Sequence, residues 1–318
     1  MTTIFSPLSR SAGLLSGLLV WVGLAGCGSL RNEVSPDQLG LASAKLVIHG
    51  FLSPQDTTLA IKVSQSRTVT GDSLSSALTD GNITDAVVTL TDGSRSVRLR
   101  YKANGATYYS APATQLPILP GHTYQLTVVT ADGQQARSQC TIPAPVRLSA
   151  VVIDSLTETQ GRGQVRRYFA RARWQDPAGP GNYYQVAGAF QVVTGTSATT
   201  GKNTVVYNNL GFDDDNRGLS ADTDADGGSL VSGRAFLGNI PLDGATPKGF
   251  RQQYRGSRLR VELYSVEASY YQYRSAVIRQ GRVRNNPFAE PVLIPSNIGG
   301  GLGCFAGYNQ SAIETVVN

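Results

Sequence analysis

The sequence predicts an all-β chain of two β-sandwich-like domains, the first immunoglobulin-like, with one helix near the C-terminal end of the second. Three observations carry this. Short runs alternate apolar and polar residues with a period of two and are rich in β-branched side chains, the pattern of half-buried strands. Asp-Gly, Asn-Gly and Pro-Gly pairs separate those runs, and glycine there tolerates the positive φ of tight hairpin turns. The 318 residues include 35 Gly and 15 Pro but only 16% charged residues, against about 25% in an average globular chain. Gly and Pro together stay below the roughly 25–30% of low-complexity chains and follow no three-residue period, so collagen and pure linker are excluded.

The first domain is placed at residues 44–143. Residues 45–51 (KLVIHGF), 59–63 (LAIKV), 86–90 (AVVTL), 97–101 (VRLRY) and 123–130 (TYQLTVVT) read as strands. Turns fall at Ser53-Pro54, Gly81-Asn82, Asp92-Gly93, Asn104-Gly105, Pro120-Gly121 and Asp132-Gly133. About seven short strands in roughly 100 residues are the signature of an immunoglobulin-like sandwich. Pro143 and Pro145 remove ladder donors and stiffen the chain, which sets the boundary there.

The second domain, residues 144–318, is also mainly β. Longer strands are expected at 147–156, 164–174, 183–193, 204–207, 230–240 and 258–266. In the last of these, Leu259, Val261 and Leu263 share one face, and Arg258, Arg260, Glu262 and Tyr264 share a wet one. The period then lengthens: Tyr270, Tyr271, Arg274, Val277 and Ile278 recur at three and four residues, predicting a helix over about 267–282. Pro287, Pro291 and Pro295 forbid its continuation, and a Gly-rich C-terminal segment follows.

Residues 1–26 read as a lipoprotein signal peptide. Arg10 precedes an uncharged apolar run at 12–24 (AGLLSGLLVWVGL), which ends in Leu24-Ala25-Gly26-Cys27. That run is too short for the ~20 residues of a transmembrane helix and fits the ~7–15 of a signal-peptide core. The small Ala25 and Gly26 let a peptidase reach the backbone before Cys27, whose thiol then carries the lipid, palmitate among its acyl chains. Residues 27–43, with Gly, Ser, Asn and Pro and little periodicity, are the tether. Position 28 is Gly rather than the Asp that retains some lipoproteins in the inner membrane, so the cell outer membrane is the expected site.

The remaining chemistry is sparse. Three Cys, two His and one Met are too few for a zinc ribbon or a thiol relay, and no G-x-S-x-G, S-x-x-K or H-E-x-x-H occurs. A formal charge of +6 is weak for a nucleic-acid binder. The cluster Arg166, Arg167, Arg171 and Arg173 and the cluster Arg251, Arg255, Arg258 and Arg260 read as solvated strand faces. Asp222, Asp224 and Asp226 before Gly227 match the first half of a calcium loop, but position twelve is Gly233 rather than a bidentate Glu. An incomplete calcium site and a solvated turn-rich loop both remain open. Trp174, Tyr183 and Tyr184 are candidates for an aromatic binding surface. With Cys27 lipidated, Cys140 and Cys304 are left in an oxidising compartment, as a disulfide or as separate thiols. The glycines at 299–303 fail the spacing of a phosphate loop.

Several segments in order resemble one family: 24–27 (LAGC), 46–54 (LVIHGFLSP), 84–88 (TDAVV), 120–124 (PGHTY), 182–184 (NYY), 286–288 (NPF) and 295–308 (PSNIGGGLGCFAGY). Together they are similar to the Bacteroidota envelope lipoproteins grouped as domain of unknown function 4249. The resemblance implies a cell-envelope lipoprotein with no established enzymatic activity, often encoded beside TonB-dependent outer-membrane receptors, and supplies no catalytic residue. Cys304 stands where that family's ending more usually has an aliphatic residue. The expected function is a non-enzymatic accessory or ligand-binding subunit of a TonB-dependent nutrient transporter, taking a small nutrient. The alternatives are a structural or adhesive envelope module and a hydrolase of envelope polymers.

Overall fold

The computed structural model describes residues 44–66, 81–102, 107–212, 216–223, 226–243, 248–283, 286, 288–290 and 292–318. The signal peptide, the tether and Cys27 lie outside the described residues, as does Asp224.

Alternation builds the first strands. In β1 (Leu46–Leu52), Leu46, Ile48, Gly50 and Leu52 are buried, and the residues between them are half-buried. β2 (Thr58–Gln65), β3 (Val87–Thr91), β4 (Ser96–Tyr101), β5 (Tyr109–Pro112), β6 (Thr123–Val129) and β7 (Gln135–Thr141) follow. They join in the order β1-β2-β5-β4-β3-β6-β7, and the sheet curls until Arg137 of β7 exchanges both backbone hydrogen bonds with Gly299 (2.9 and 2.8 Å). The curled sheet encloses a first core that includes Leu46, Ile61, Tyr109, Tyr124, Leu126 and Cys140.

Across the two prolines come β8 (Leu148–Gln160) and β9 (Gly163–Gln175), a long hairpin. β10 (Tyr183–Thr196), β11 (Asn203–Asn209), β12 (Leu219–Ala221), β13 (Ser229–Val231) and β14 (Ala235–Pro241) follow. The single strand expected at 230–240 is thus two strands. Between them Ser232 turns its hydroxyl inward to accept the Ala172 N–H at 2.9 Å, which interrupts the run. β8, β13 and β14 all pair with β9 in a four-stranded sheet. A second core, with Trp174, Tyr184, Val186, Phe190, Val261 and Leu263, lies between that sheet and β10 with β15 (Arg258–Val266). The chain is all-β and sandwich-like, as the periodicity predicts.

Two α-helices occur among the described residues: α1 (Phe250–Gln253), a single turn, and α2 (Ala268–Val283), which matches the predicted helix within a residue at each end. Neither is long and apolar enough to cross a membrane.

The Gly-rich C-terminal segment forms the last strand. β16 (Gly301–Val316) pairs in parallel with β1 over residues 301–307 and antiparallel with β15 over 308–316. It therefore sits inside a twelve-stranded sheet and reaches both cores, with Phe305 in the first and Val317 just beyond it in the second. Glycine is required because other backbones approach closely: a Cβ on Gly303 would stand 2.0 Å from the Ile48 carbonyl oxygen, and one on Gly307 would stand 2.7 Å from that of Thr141.

Candidate functional site

The acidic loop folds against the turn after β9. That turn contributes a carboxylate the sequence reading missed, Asp176, whose side-chain oxygens come within 4.8 Å of those of Asp222 and Asp226. Asp176 is 2% exposed and Asp222 5%. Their oxygens have protein donors: Asp176 accepts from the Tyr184 hydroxyl and, at 3.0 Å, from the Gly227 N–H. Asp222 accepts the Asn182 N–H at 3.0 Å, and Asp226 accepts the Gly179 N–H at 2.7 Å. Burial, and then the bond to Asp176, push the Tyr184 phenol far up, so it stays a donor. The three carboxylates tie the 176–182 turn to Asp222 and to the turn at 226–228. Their remaining lone pairs are the hard oxygen ligands a calcium ion would take. Nothing in local spacing links Asp176 to Asp222, because the pairing runs through β9, β10 and their turns.

The proposed aromatic surface at Trp174, Tyr183 and Tyr184 is not formed. Trp174 and Tyr184 are each 1% exposed and pack edge to face at 5.4 Å inside the second core. Only Tyr183 reaches outward, and it is half-buried against Tyr271 of α2 at 4.9 Å. In a strand with one buried face, neighbouring tyrosines point opposite ways.

A different aromatic group forms where β16 passes from β1 to β15. Phe51, Tyr308, Tyr264 and Gln185 come from four adjacent strands, β1, β16, β15 and β10, and alternate with buried core residues, so all four project from the outer face. Gln185 is directly opposite Tyr264 in the register. Tyr270, in the first turns of α2, leans over the row and meets Phe51 edge to face at 5.2 Å, while Tyr264 and Tyr308 are 5.7 Å apart and tilted by 57°. With Ala187 as the small residue among them, these side chains line a cavity of about 280 Å³.

Each phenol in this cavity donates to a fixed acceptor. Tyr308 donates to Asp56 Oδ1 at 2.9 Å, Tyr264 to Glu262 Oε2 at 2.5 Å, and Tyr270 to Gln185 Oε1 at 2.5 Å. Burial is the first cause that raises the pKa of all three, so they remain protonated at neutral pH. The same strand face continues to His49, which is hydrogen-bonded through Nε2 to the Tyr273 hydroxyl at 2.7 Å. Burial, and then Lys62, lower the pKa of His49 and keep it neutral.

The two described cysteines are free and buried. The structure does not bring them together as a disulfide. The Cys304 thiol faces the Ser269 carbonyl of α2 at 3.7 Å, whereas Cys140 belongs to the first core, on the side of β16 where Phe305 points. Burial, followed by the Glu267 charge, lifts the Cys304 thiol to about 12 and the Cys140 thiol higher still. Of the arginine clusters, Arg167 pairs with Glu158, Arg171 with Asp154, and Arg260 with Glu262.

Fold and site define an all-β protein whose long central sheet carries a small aromatic cavity on its outer face. The chain belongs to the family described as Domain of unknown function (DUF4249), whose model matches residues 31–314. No curated protein matches it.

Proposed function

We propose that the protein is a non-enzymatic accessory lipoprotein of the outer membrane, anchored through Cys27, that binds a small nutrient or docks on a TonB-dependent receptor. The observation that carries this reading is the order of the N-terminal segment: one Arg, an apolar run of signal-peptide length, two small residues and Cys27. Several acyl chains at about 0.8 kcal/mol per buried CH₂ hold a folded body at a membrane surface. The engaged state of the reactive side chains supports binding over catalysis. His49 is neutral and bonded to Tyr273, and both core thiols are held far from the thiolate form. Receptor association rests on the family resemblance.

Growth on labelled palmitate tests the anchor: the wild-type chain takes up label and Cys27→Ala does not. Recovery of the acylated protein from detergent-solubilised membranes by affinity tag tests the partner. Co-purification of a TonB-dependent receptor, with slower nutrient uptake in a deletion strain, is the expected outcome. Recovery of no receptor together with unchanged uptake refutes the transport role. A second reading, an adhesive module, is favoured by the sheet's edge strand β11, where Val206 is 45% and Tyr207 70% exposed. Cell aggregation lost in the deletion strain, with uptake unchanged, would select it.

A further inference from the structure

We infer that the cavity at the β1, β16, β15 and β10 seam binds a single pyranose ring of a neutral saccharide. This rests on the ligand-binding reading above and adds the site and the ligand class. Four aromatic side chains wall the cavity, and aromatic π faces carry negative potential that attracts the weakly positive C–H face of a pyranose ring. Ala187 opens the space between them, and the volume of about 280 Å³ is at the small end of ligand pockets, sized for one ring rather than a chain.

The polar groups select the ligand's hydrogen-bonding character. Because Tyr264, Tyr270 and Tyr308 each spend their proton on Glu262, Gln185 and Asp56, the phenols have no proton left to give a ligand and can only accept. The lining therefore accepts, and a sugar's hydroxyls donate. Charge argues against ions of either sign. No lysine or arginine lines the cavity. Glu262 is already neutralised by Arg260 at 2.7 Å, and Asp56 is buried enough to oppose its own ionisation. A larger cleft of about 640 Å³ between β8 and the end of β16 lacks this grouping: half of its lining is aliphatic, and Tyr168 and Phe250 are its aromatic residues beside Arg251.

Saturation-transfer NMR on the full-length protein in detergent tests the assignment, with methyl β-glucopyranoside, methyl α-mannopyranoside and methyl β-galactopyranoside as probes and choline as the cationic competitor. The ring C–H protons of at least one glycoside should be saturated. Ala187→Leu, which fills the cavity without removing an aromatic ring, should weaken that glycoside at least tenfold at an unchanged melting temperature, and Tyr264→Ala should weaken it at least as much. No saturation of any glycoside, saturation unaffected by Ala187→Leu, or displacement by equimolar choline overturns the assignment. Palmitate labelling and receptor recovery are read separately. Failure here with both intact removes the saccharide site alone, and failure there leaves this result standing.

Discussion

Gly303 has φ +113°, and the Ile48 carbonyl oxygen is 2.0 Å from where its Cβ would stand. Gly303→Ala must strain the backbone or push β1 away, and a strained φ alone costs about 1–3 kcal/mol. Urea unfolding should show at least that loss. Gly195→Ala, at a position with open space and without positive φ, should leave the midpoint within about 0.5 kcal/mol of wild type. His49 makes a second prediction at this scale. It faces Tyr273 of α2, with Lys62 and Cys304 opposite it on β2 and β16. Its folded pKa lies below the ordinary 6.5, so as pH falls through 6.5 the unfolded chain takes up a proton that the native imidazole still refuses. Stability is therefore present above that pH and lost below it. The drop in urea midpoint between pH 7.5 and pH 5 should be smaller in His49→Gln than in wild type; an equal drop would clear His49 of the effect.

At the scale of elements, two carboxylate clamps hold pieces that sequence neighbours do not. Glu267, at the start of α2, accepts the Thr141 N–H of β7 at 3.2 Å and the Gly307 N–H of β16 at 3.0 Å. Glu267→Ala leaves those amides without their acceptor and should cost about 1–3 kcal/mol. The Asp176 clamp between the two acidic turns should behave alike. Asp176→Ala frees the buried Tyr184 hydroxyl and the Gly227 N–H, for a loss of about 1–3 kcal/mol, or several degrees in Tm. If the carboxylates act through these hydrogen bonds alone, that loss is the same in EDTA and in calcium. A wild-type Tm that rises with calcium, with the rise abolished in Asp176→Ala, would instead make the cluster an ion site. The spacing of Asp222 and Asp226 was readable from the chain, but Asp176 was not, since Asp222 lies 46 positions further along the sequence. The strands with regular alternation were readable for the same local reason. β7 (QARSQCT) was not, because its alternate inward residues are Ala136, Ser138 and Cys140, which are small rather than strongly apolar.

For the whole molecule, β16 decides how the halves behave. It contributes Phe305 to the first core and leads into Val317 in the second. Phe305→Ala should cost about 3–5 kcal/mol and destabilise both halves together. Trp174 fluorescence, which reports the second core, should then lose its transition at the same urea concentration as far-UV circular dichroism. Two separated transitions would show that the cores unfold independently. Cys140 and Cys304 should resist alkylation in native protein and react only when urea exposes them; a bridge between them on a non-reducing gel would contradict their placement on opposite sides of β16. The sequence by itself determined what local chemistry controls: the all-β class, most strands, the one long helix and the outward face of Tyr264, because period and turn glycines act over a few residues. Only the tertiary structure decided that a Gly-rich ending is a central strand, that Trp174 and Tyr184 are core, and that Phe51, Tyr264, Tyr270 and Tyr308 share a cavity. Those outcomes depend on which strands lie side by side, and the parallel pairing of β1 with β16 joins residues some 250 positions apart, a distance over which no periodicity carries information.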